Sequence, residues 1–578
     1  LVQTSAGPVC GLELPAYDGA DVTVQAFLGI PYAESTAGEN RWRPPVPKAA
    51  WTEPFLAHDY GSPCPQGADE LLPQRGEKSE DCLSLNVWTP AADGAGRPVI
   101  VYVYGGAFVT GSTAAQLYPD GPLVYDGGRL AATQDVVVVT LNYRVGALGF
   151  LAGVGGLEGN YGLKDQQLAL RWAQANVAAF GGDPARVTLA GQSAGAMSAT
   201  AHLTAIPSSR GLFSAAIVMS NPAGMPYRGM DEATRLGMAF GDAAGCPRRG
   251  DQLACLRALP FEEIVETQTV RLVVTSVLRS GVDGLLLWSP VVDGEFLVGV
   301  PIGEAFAHGF AVPAMIGTTT GEGVIFGYGG GARMGFMEMS VAAQVMLGRR
   351  AGDLVMRHYT PGFGRDHRPA WMDMFTEVVF RCPSLGLALA NGAPSYVYEF
   401  EHLSSLGLYQ AAACREQACH SEDVPYVFGT AAGEKAFTPE ERELSDFLQG
   451  LWGAFAHAPN TMGWTELGDG LRWPRYDASD RRVLAIGLEP HVREANLAGC
   501  DVAAEVGQIR GIEATFTKLV PENTRERDDA RFGGSFLELG SYNILPAARL
   551  LGTDRIRAMD AHFYTQRDER GVDLFTQA

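Results

Sequence analysis

One serine set among small residues, in Leu189-Ala190-Gly191-Gln192-Ser193-Ala194-Gly195, is the first place where this chain could do chemistry. Residues 187–190 (VTLA) read as a short buried strand, and AMSATAHL, after Gly195, reads as a helix. The five residues 191–195 fit G-x-S-x-G. Glycine on both sides of a sharp strand-to-helix turn keeps side chains clear of neighbouring backbone. Such a turn lifts the serine hydroxyl above the sheet edge, where the N–H groups of the new helix converge. A five-residue match also arises by chance as a plain small-residue turn, so Ser193 needs partners.

A serine hydroxyl is a weak nucleophile until a base takes its proton, and the base needs an orienting acid. N–H donors must also hold the oxyanion. YGGAFVTGS (Tyr104 to Ser112) follows an apolar run, and its small residues would leave the N–H groups of Gly106 and Ala107 open to a bound oxygen. Ala194 would give a third donor. In the order nucleophile, acid, histidine, the bases to consider are His308, His358, His367, His402, His420, His457, His491 and His562. His420 follows the last clear strand after a loop, as a base should. Glu322, between Gly321 and Gly323, comes shortly after the run ending at Gly317 and is the candidate acid. A solvated loop carboxylate is its plain alternative.

These residues need a scaffold. Residues 98–104, 136–143, 187–190, 215–220, 312–317 and 395–400 are mostly continuous apolar runs, as expected of strands covered on both faces. Helical spacing lies between them, for example over 162–180. The pattern predicts an α/β fold with a large, mostly parallel central sheet and helices on both faces. Sites in such sheets form beyond the C-terminal ends of the strands, where Ser193 falls. The glycine-rich stretch 321–335 reads as a loop. It lacks G-x-G-x-x-G, and the chain has no Walker-type phosphate cradle.

Composition narrows the partners. The chain has 578 residues, 46% hydrophobic and 19% charged, with a net charge of −21, which argues against nucleic acid as a partner. No apolar run is long enough to predict a stable membrane span. Leu1 at the start fits a removed leader or a start inside a longer chain. The spacing of the nine cysteines suggests local bridges and an oxidising compartment.

Several stretches together resemble the type-B carboxylesterase/lipase family, which includes the cholinesterases. They are AFLGIPYAES, RWRPP, SEDCLSLNVWTP, YGGAFVTGS, LNYRVGALGFL, GNYGLKDQQLALRWAQANVAAFGGDPARVTLAGQSAGAMS, SPVVDGEF, CHSEDVPYVFG and AFAHAPN, in family order from about residue 8 to 500. The resemblance implies an α/β-hydrolase fold and a serine carboxylester hydrolase that needs no cofactor and no metal. Ser193 would be the nucleophile, Glu322 the triad acid, His420 the base, and Gly106, Ala107 and Ala194 the oxyanion hole. It also implies two internal salt bridges, Arg41 with Glu80 and Arg144 with Asp165. Cys64 with Cys82 and Cys246 with Cys255 match family disulfides, and Cys382 and Cys500 sit near a third. Cys414 and Cys419 flank a short loop before His420, and Cys10 is left over. The expected compartment is secreted, periplasmic or the secretory pathway.

Two departures bear on substrate. The first disulfide loop, PQGADELLPQRGEKSED, has no aromatic residue to attract a quaternary ammonium, so choline esters are not expected. GLLLWSPVVDG suggests an acyl pocket walled by leucines and Trp288. Small to medium uncharged esters are the expected substrates.

Residues 504–578 change character. VGQIRGIEATF and FGGSFLELGSYNILPAARLLG resemble part of the second domain of the glucose–fructose oxidoreductase/inositol dehydrogenase family. No glycine fingerprint for a dinucleotide precedes them. The chain is therefore expected to divide into an esterase domain over 1–503 and a poorly packed, non-catalytic segment over 504–578. An adhesion protein on the same scaffold is the other reading, but such proteins lose triad members, and all three are present here.

Overall fold

The computed structural model describes residues 1–17, 23–67, 72–225, 227–268, 286–327, 333–347, 349–359, 366–408, 412–461, 471–509, 563–567 and 573–577. Eleven strands among them share one sheet. In chain order they are Leu12–Leu14 (β1), Val24–Pro31 (β2), Ser84–Thr89 (β3), Arg97–Val103 (β4), Val137–Leu141 (β5), Gly182–Gln192 (β6), Ala215–Met219 (β7), Ala314–Thr319 (β8), Ser395–Phe400 (β9), Arg482–Ile486 (β10) and His491–Glu494 (β11). Their spatial order is β11-β10-β9-β8-β7-β6-β4-β5-β3-β2-β1. From β5 through β4 and β6 to β10 all neighbours run parallel. β1, β2, β3 and β11 are antiparallel additions at the two edges. This large, mostly parallel sheet with helices packed on it is the α/β-hydrolase architecture.

The runs of valine, isoleucine and leucine form the central strands because both faces are covered; every residue of β5 and β7 is buried. Helices among the described residues include Gly128–Gln134 (α1), Tyr161–Asn176 (α2), Ala194–Thr200 (α3), which follows Ser193, Cys382–Ala390 (α4), Pro439–His457 (α5) and Cys500–Ile509 (α6). α5 starts where the sequence dictates. The Thr438 hydroxyl accepts from the Glu441 N–H, the Glu441 carboxylate accepts from the Thr438 N–H, and Pro439 takes the first helical position.

The six predicted strands are all present, with β6 longer than expected because it extends to residue 182. The stretch 321–335 is not all loop: Val324–Gly327 form a short helix, and another begins at Phe336. Trp288 is buried edge-on against Phe240, with ring centroids 5.2 Å apart.

Four disulfides join Cys64–Cys82, Cys246–Cys255, Cys382–Cys500 and Cys414–Cys419, and Cys10 is free. Cys382–Cys500 ties α4 to α6. α6 runs across residue 503, with Val502, Ala503, Ala504 and Val506 all buried. Residues 563–567 and 573–577 pair as an antiparallel hairpin. FGGSFLELGSYNILPAARLLG lies outside the described residues, and so does any packing expected of it. Among the described residues no helix is long and apolar enough to cross a membrane.

Candidate active site

Ser193 sits between β6 and α3 with φ 57° and ψ −121°, a conformation that costs energy for any residue with a side chain. Tertiary contacts hold it there. Its N–H donates to Met219 O at 3.0 Å, at the end of neighbouring β7. The flanking glycines are required by contact: a Cβ at Gly191 would lie 2.3 Å from Gly195 O, and one at Gly195 would lie 2.0 Å from Val103 O. Both distances are far inside van der Waals contact, so the elbow closes only with glycine at these two positions.

The segment after β4 abuts this elbow. A Cβ at Gly105 would lie 2.9 Å from the Ser193 Cβ. Gly106, Ala107 and Phe108 then have φ of 109°, 53° and 61°, three left-handed residues in a row. Val109 and Thr110 both donate their N–H to Gly106 O, at 3.0 and 3.1 Å, which folds the segment into a tight turn. Phe108 is buried against Phe150, and its carbonyl accepts the Gly146 N–H at 2.6 Å.

Glu322 and His420 meet on the other side. Glu322 follows β8 and is buried. Its Oε1 accepts the Thr319 N–H at 2.7 Å, and its Oε2 lies 2.5 Å from His420 Nδ1. His420 Nε2 faces the amide nitrogen of Gln192 at 3.1 Å. With that amide as donor, Nε2 accepts and Nδ1 carries the proton toward Glu322, the tautomer a general base needs. Among the described contacts, then, Nε2 meets the residue beside Ser193 and not the serine hydroxyl. Such contacts are often open in the free enzyme and tighten with substrate. Phe380 and Phe326 flank the imidazole at 5.1 and 5.7 Å, and Phe326 is 44% exposed.

A second buried carboxyl stands behind the first. Asp423 Oδ2 accepts from the Tyr398 hydroxyl at 3.2 Å, and its Oδ1 has no hydrogen-bond partner among the described residues. Burial first, and the nearby Glu322 second, push its carboxyl up to about 7. Burial likewise pushes Glu422 up to about 7, against the Cys419 N–H that donates to it at 2.8 Å.

The other late histidines have structural settings. His402 lies 3.0 Å from Glu441, but that carboxylate also accepts from Ser405, Tyr426 and Thr438 and caps α5. His308 is exposed, 3.6 Å from Glu304. His457 faces Gln134 O at 2.9 Å, His367 packs against Phe336, and His358 packs against Tyr359. His491 lies in edge strand β11, and His562 falls outside the described residues. The two buried ion pairs form as the resemblance implied, each bidentate: Arg41 with Glu80 at 2.6 and 2.7 Å, and Arg144 with Asp165 at 2.6 and 2.8 Å. Gln66, Gln192 and Asp423 were not singled out from sequence. Gln66 bonds Thr110 and Gly111 in the segment after β4, and no spacing rule marks any of the three.

A serine on a strained elbow at the C-terminal edge of this sheet belongs to the α/β-hydrolase class. Sequence comparison narrows it further. The pattern of the carboxylesterase family matches residues 1–503, and the chain belongs to that family. The cholinesterase of Mus musculus is 32% identical over 533 residues, covering 85% of this chain and 83% of the relative. The acetylcholinesterase of Bungarus fasciatus is 32% identical over 532 residues, covering 86% and 84%. The protein is a carboxylic ester hydrolase. The family match stops at residue 503, and the oxidoreductase resemblance of the tail finds no support in these comparisons.

Proposed function

We propose that Ser193 is the nucleophile of a serine carboxylesterase, with His420 as general base and Glu322 as its orienting acid. Ser193 Oγ attacks the ester carbonyl while His420 Nε2 takes the hydroxyl proton. The oxyanion is held by the N–H groups of Gly106, Ala107 and Ala194. His420 returns the proton to the leaving alcohol, then activates water against the acyl-enzyme. Glu322 stabilises the imidazolium in both half-reactions. The observation that carries this reading is the 2.5 Å contact between His420 and Glu322, both buried and joined to the Ser193 elbow through Gln192.

The substrates are small to medium uncharged esters. Apolar Phe326 and Phe380 beside the base support this, as does the lack of an aromatic residue between Cys64 and Cys82. The relatives' names speak of choline esters, but the ring face that would attract a quaternary ammonium is missing from that loop. The four disulfides support a secreted, periplasmic or secretory-pathway location. Residues 504–578 supply no group to the reaction.

Hydrolysis of p-nitrophenyl acetate, butyrate and octanoate, and of butyrylthiocholine, by the wild type and Ser193→Ala tests the reading. The variant should lose on the order of 10⁴–10⁶ in kcat. The thiocholine ester should be the poorest substrate. A variant within tenfold of the wild type would overturn the assignment of Ser193.

A further inference from the structure

Three consecutive left-handed residues do not hold themselves in place, and two of them, Ala107 and Phe108, carry side chains. A left-handed backbone is unfavourable for a residue with a side chain, so neighbouring structure must fix the turn. At the near end Gly105 is wedged against Ser193, and in the middle Phe108 is anchored by Gly146 and Phe150. The far end, Thr110 and Gly111, has a different anchor: the side chain of Gln66, two residues beyond Cys64.

The Gln66 amide is buried and uses its whole hydrogen-bonding capacity. Its Oε1 accepts from the Gly111 N–H at 2.8 Å and from the Thr110 hydroxyl at 2.7 Å. Its Nε2 donates to Gly111 O and to Cys64 O, each at 3.0 Å. Two acceptor sites and two donors are all that a primary amide has. Gln66 therefore grips both polar groups of Gly111, as a neighbouring strand would, and ties them to the backbone of a disulfide-bonded cysteine. Thr110 in turn donates its N–H to Gly106 O, so the clamp is one hydrogen bond away from the first oxyanion donor.

We propose that Gln66 is a positioning residue for the oxyanion hole. Its amide sets where the N–H groups of Gly106 and Ala107 point, and the Cys64–Cys82 loop is the frame it pulls against. The proposal rests on the reading of those two groups as oxyanion donors. The clamp touches neither Ser193 nor His420, so its loss should weaken the transition state and leave ground-state binding alone.

Three variants remove the clamp by degrees. Thr110→Val deletes one hydrogen bond. Gln66→Glu keeps the two acceptor bonds and loses the two donor bonds. Gln66→Met loses all four at nearly constant volume. For each, kcat and KM with p-nitrophenyl butyrate are measured per active site titrated with a fluorophosphonate, alongside Tm and the Ki of an alkyl trifluoromethyl ketone. That ketone forms a serine adduct whose oxyanion occupies the hole. The expected result is a graded fall in kcat from Thr110→Val to Gln66→Met, reaching about 10²-fold. KM should stay within about threefold, and Ki should rise by the factor by which kcat/KM falls. A purely structural role would lower Tm and leave kcat per titrated site and Ki unchanged, which would overturn the proposal. If Gln66→Met fails to fold, the order of Thr110→Val and Gln66→Glu decides: an ungraded series, or an unmoved Ki, also overturns it. Ser193→Ala run in parallel separates the two claims. An active Ser193→Ala sinks the site reading itself, whereas an inactive one with unaffected Gln66 variants sinks only the clamp.

Discussion

Gly321 and Cys419 form a one-residue parallel bridge, with the Gly321 N–H donating to Ala418 O at 2.8 Å. Each stands immediately before a residue of the buried pair, Glu322 on one side and His420 on the other. The two side chains, 98 residues apart in sequence, thus meet because the backbones that carry them are already paired. Neither carboxylate nor imidazole has to find its partner by side-chain rotation alone.

That arrangement separates charge from shape at position 322. Glu322→Gln keeps the volume and the Thr319 contact but removes the negative charge that holds the Nδ1–H tautomer. The expected loss in kcat on p-nitrophenyl butyrate is on the order of 10³–10⁴. The circular dichroism spectrum should be unchanged, and a loss below tenfold would refute the role given to Glu322.

Asp423 makes stability depend on pH. Its folded carboxyl is pushed up to about 7 while the unfolded chain titrates near the ordinary aspartate range. Between those values the folded state binds the extra proton, so stability falls as pH rises through the window and levels off above it. Asp423→Asn removes this dependence. Urea unfolding at pH 5 and pH 8 should show the wild type losing on the order of 2–3 kcal/mol more than the variant over that interval. Parallel curves would refute the shifted carboxyl.

The disulfides differ in what they constrain. Cys382–Cys500 spans 118 residues and Cys414–Cys419 spans 5. Loop-closure entropy assigns them about 5 and about 2 kcal/mol. Replacing each pair with serines should lower the denaturation midpoint more for the first. The Cys414–Cys419 replacement, which loosens the approach to His420, should instead show its larger effect in kcat.

The Arg144–Asp165 pair is buried on both sides. Arg144→Leu strands a carboxylate and should cost about 3–5 kcal/mol, whereas Arg144→Leu with Asp165→Leu should recover much of that loss. Chemical denaturation of both variants decides the matter; equal losses would mean that the stranded charge is not the cause.

How much of this was legible in the sequence depended on what kind of signal each part carries. β4, β5 and β7 are apolar throughout or nearly so, and burial on both faces writes itself directly into composition. β3 is equally buried but reads Ser-Leu-Asn-Val-Trp-Thr, because Asn86 donates to Thr140 Oγ1 at 3.0 Å and accepts the Gly29 N–H at 2.8 Å. A buried polar network looks like surface until its partners are known, so β3 does not read as a buried strand. The same holds at the site. Ser193 announces itself through glycines that its own turn requires. Gln66, Gln192 and Asp423 owe their roles to atoms tens or hundreds of residues away, and one chain read in order does not show such neighbours.

The elbow has one more consequence. The contacts that force its shape, Gly191 against Gly195 and Gly195 against Val103, are backbone against backbone. None of these contacts involves a side chain. Side chains elsewhere around the site can therefore change in size and polarity without reshaping the turn that presents Ser193, so under the proposed mechanism ester preference and the aim of the attacking oxygen can vary independently.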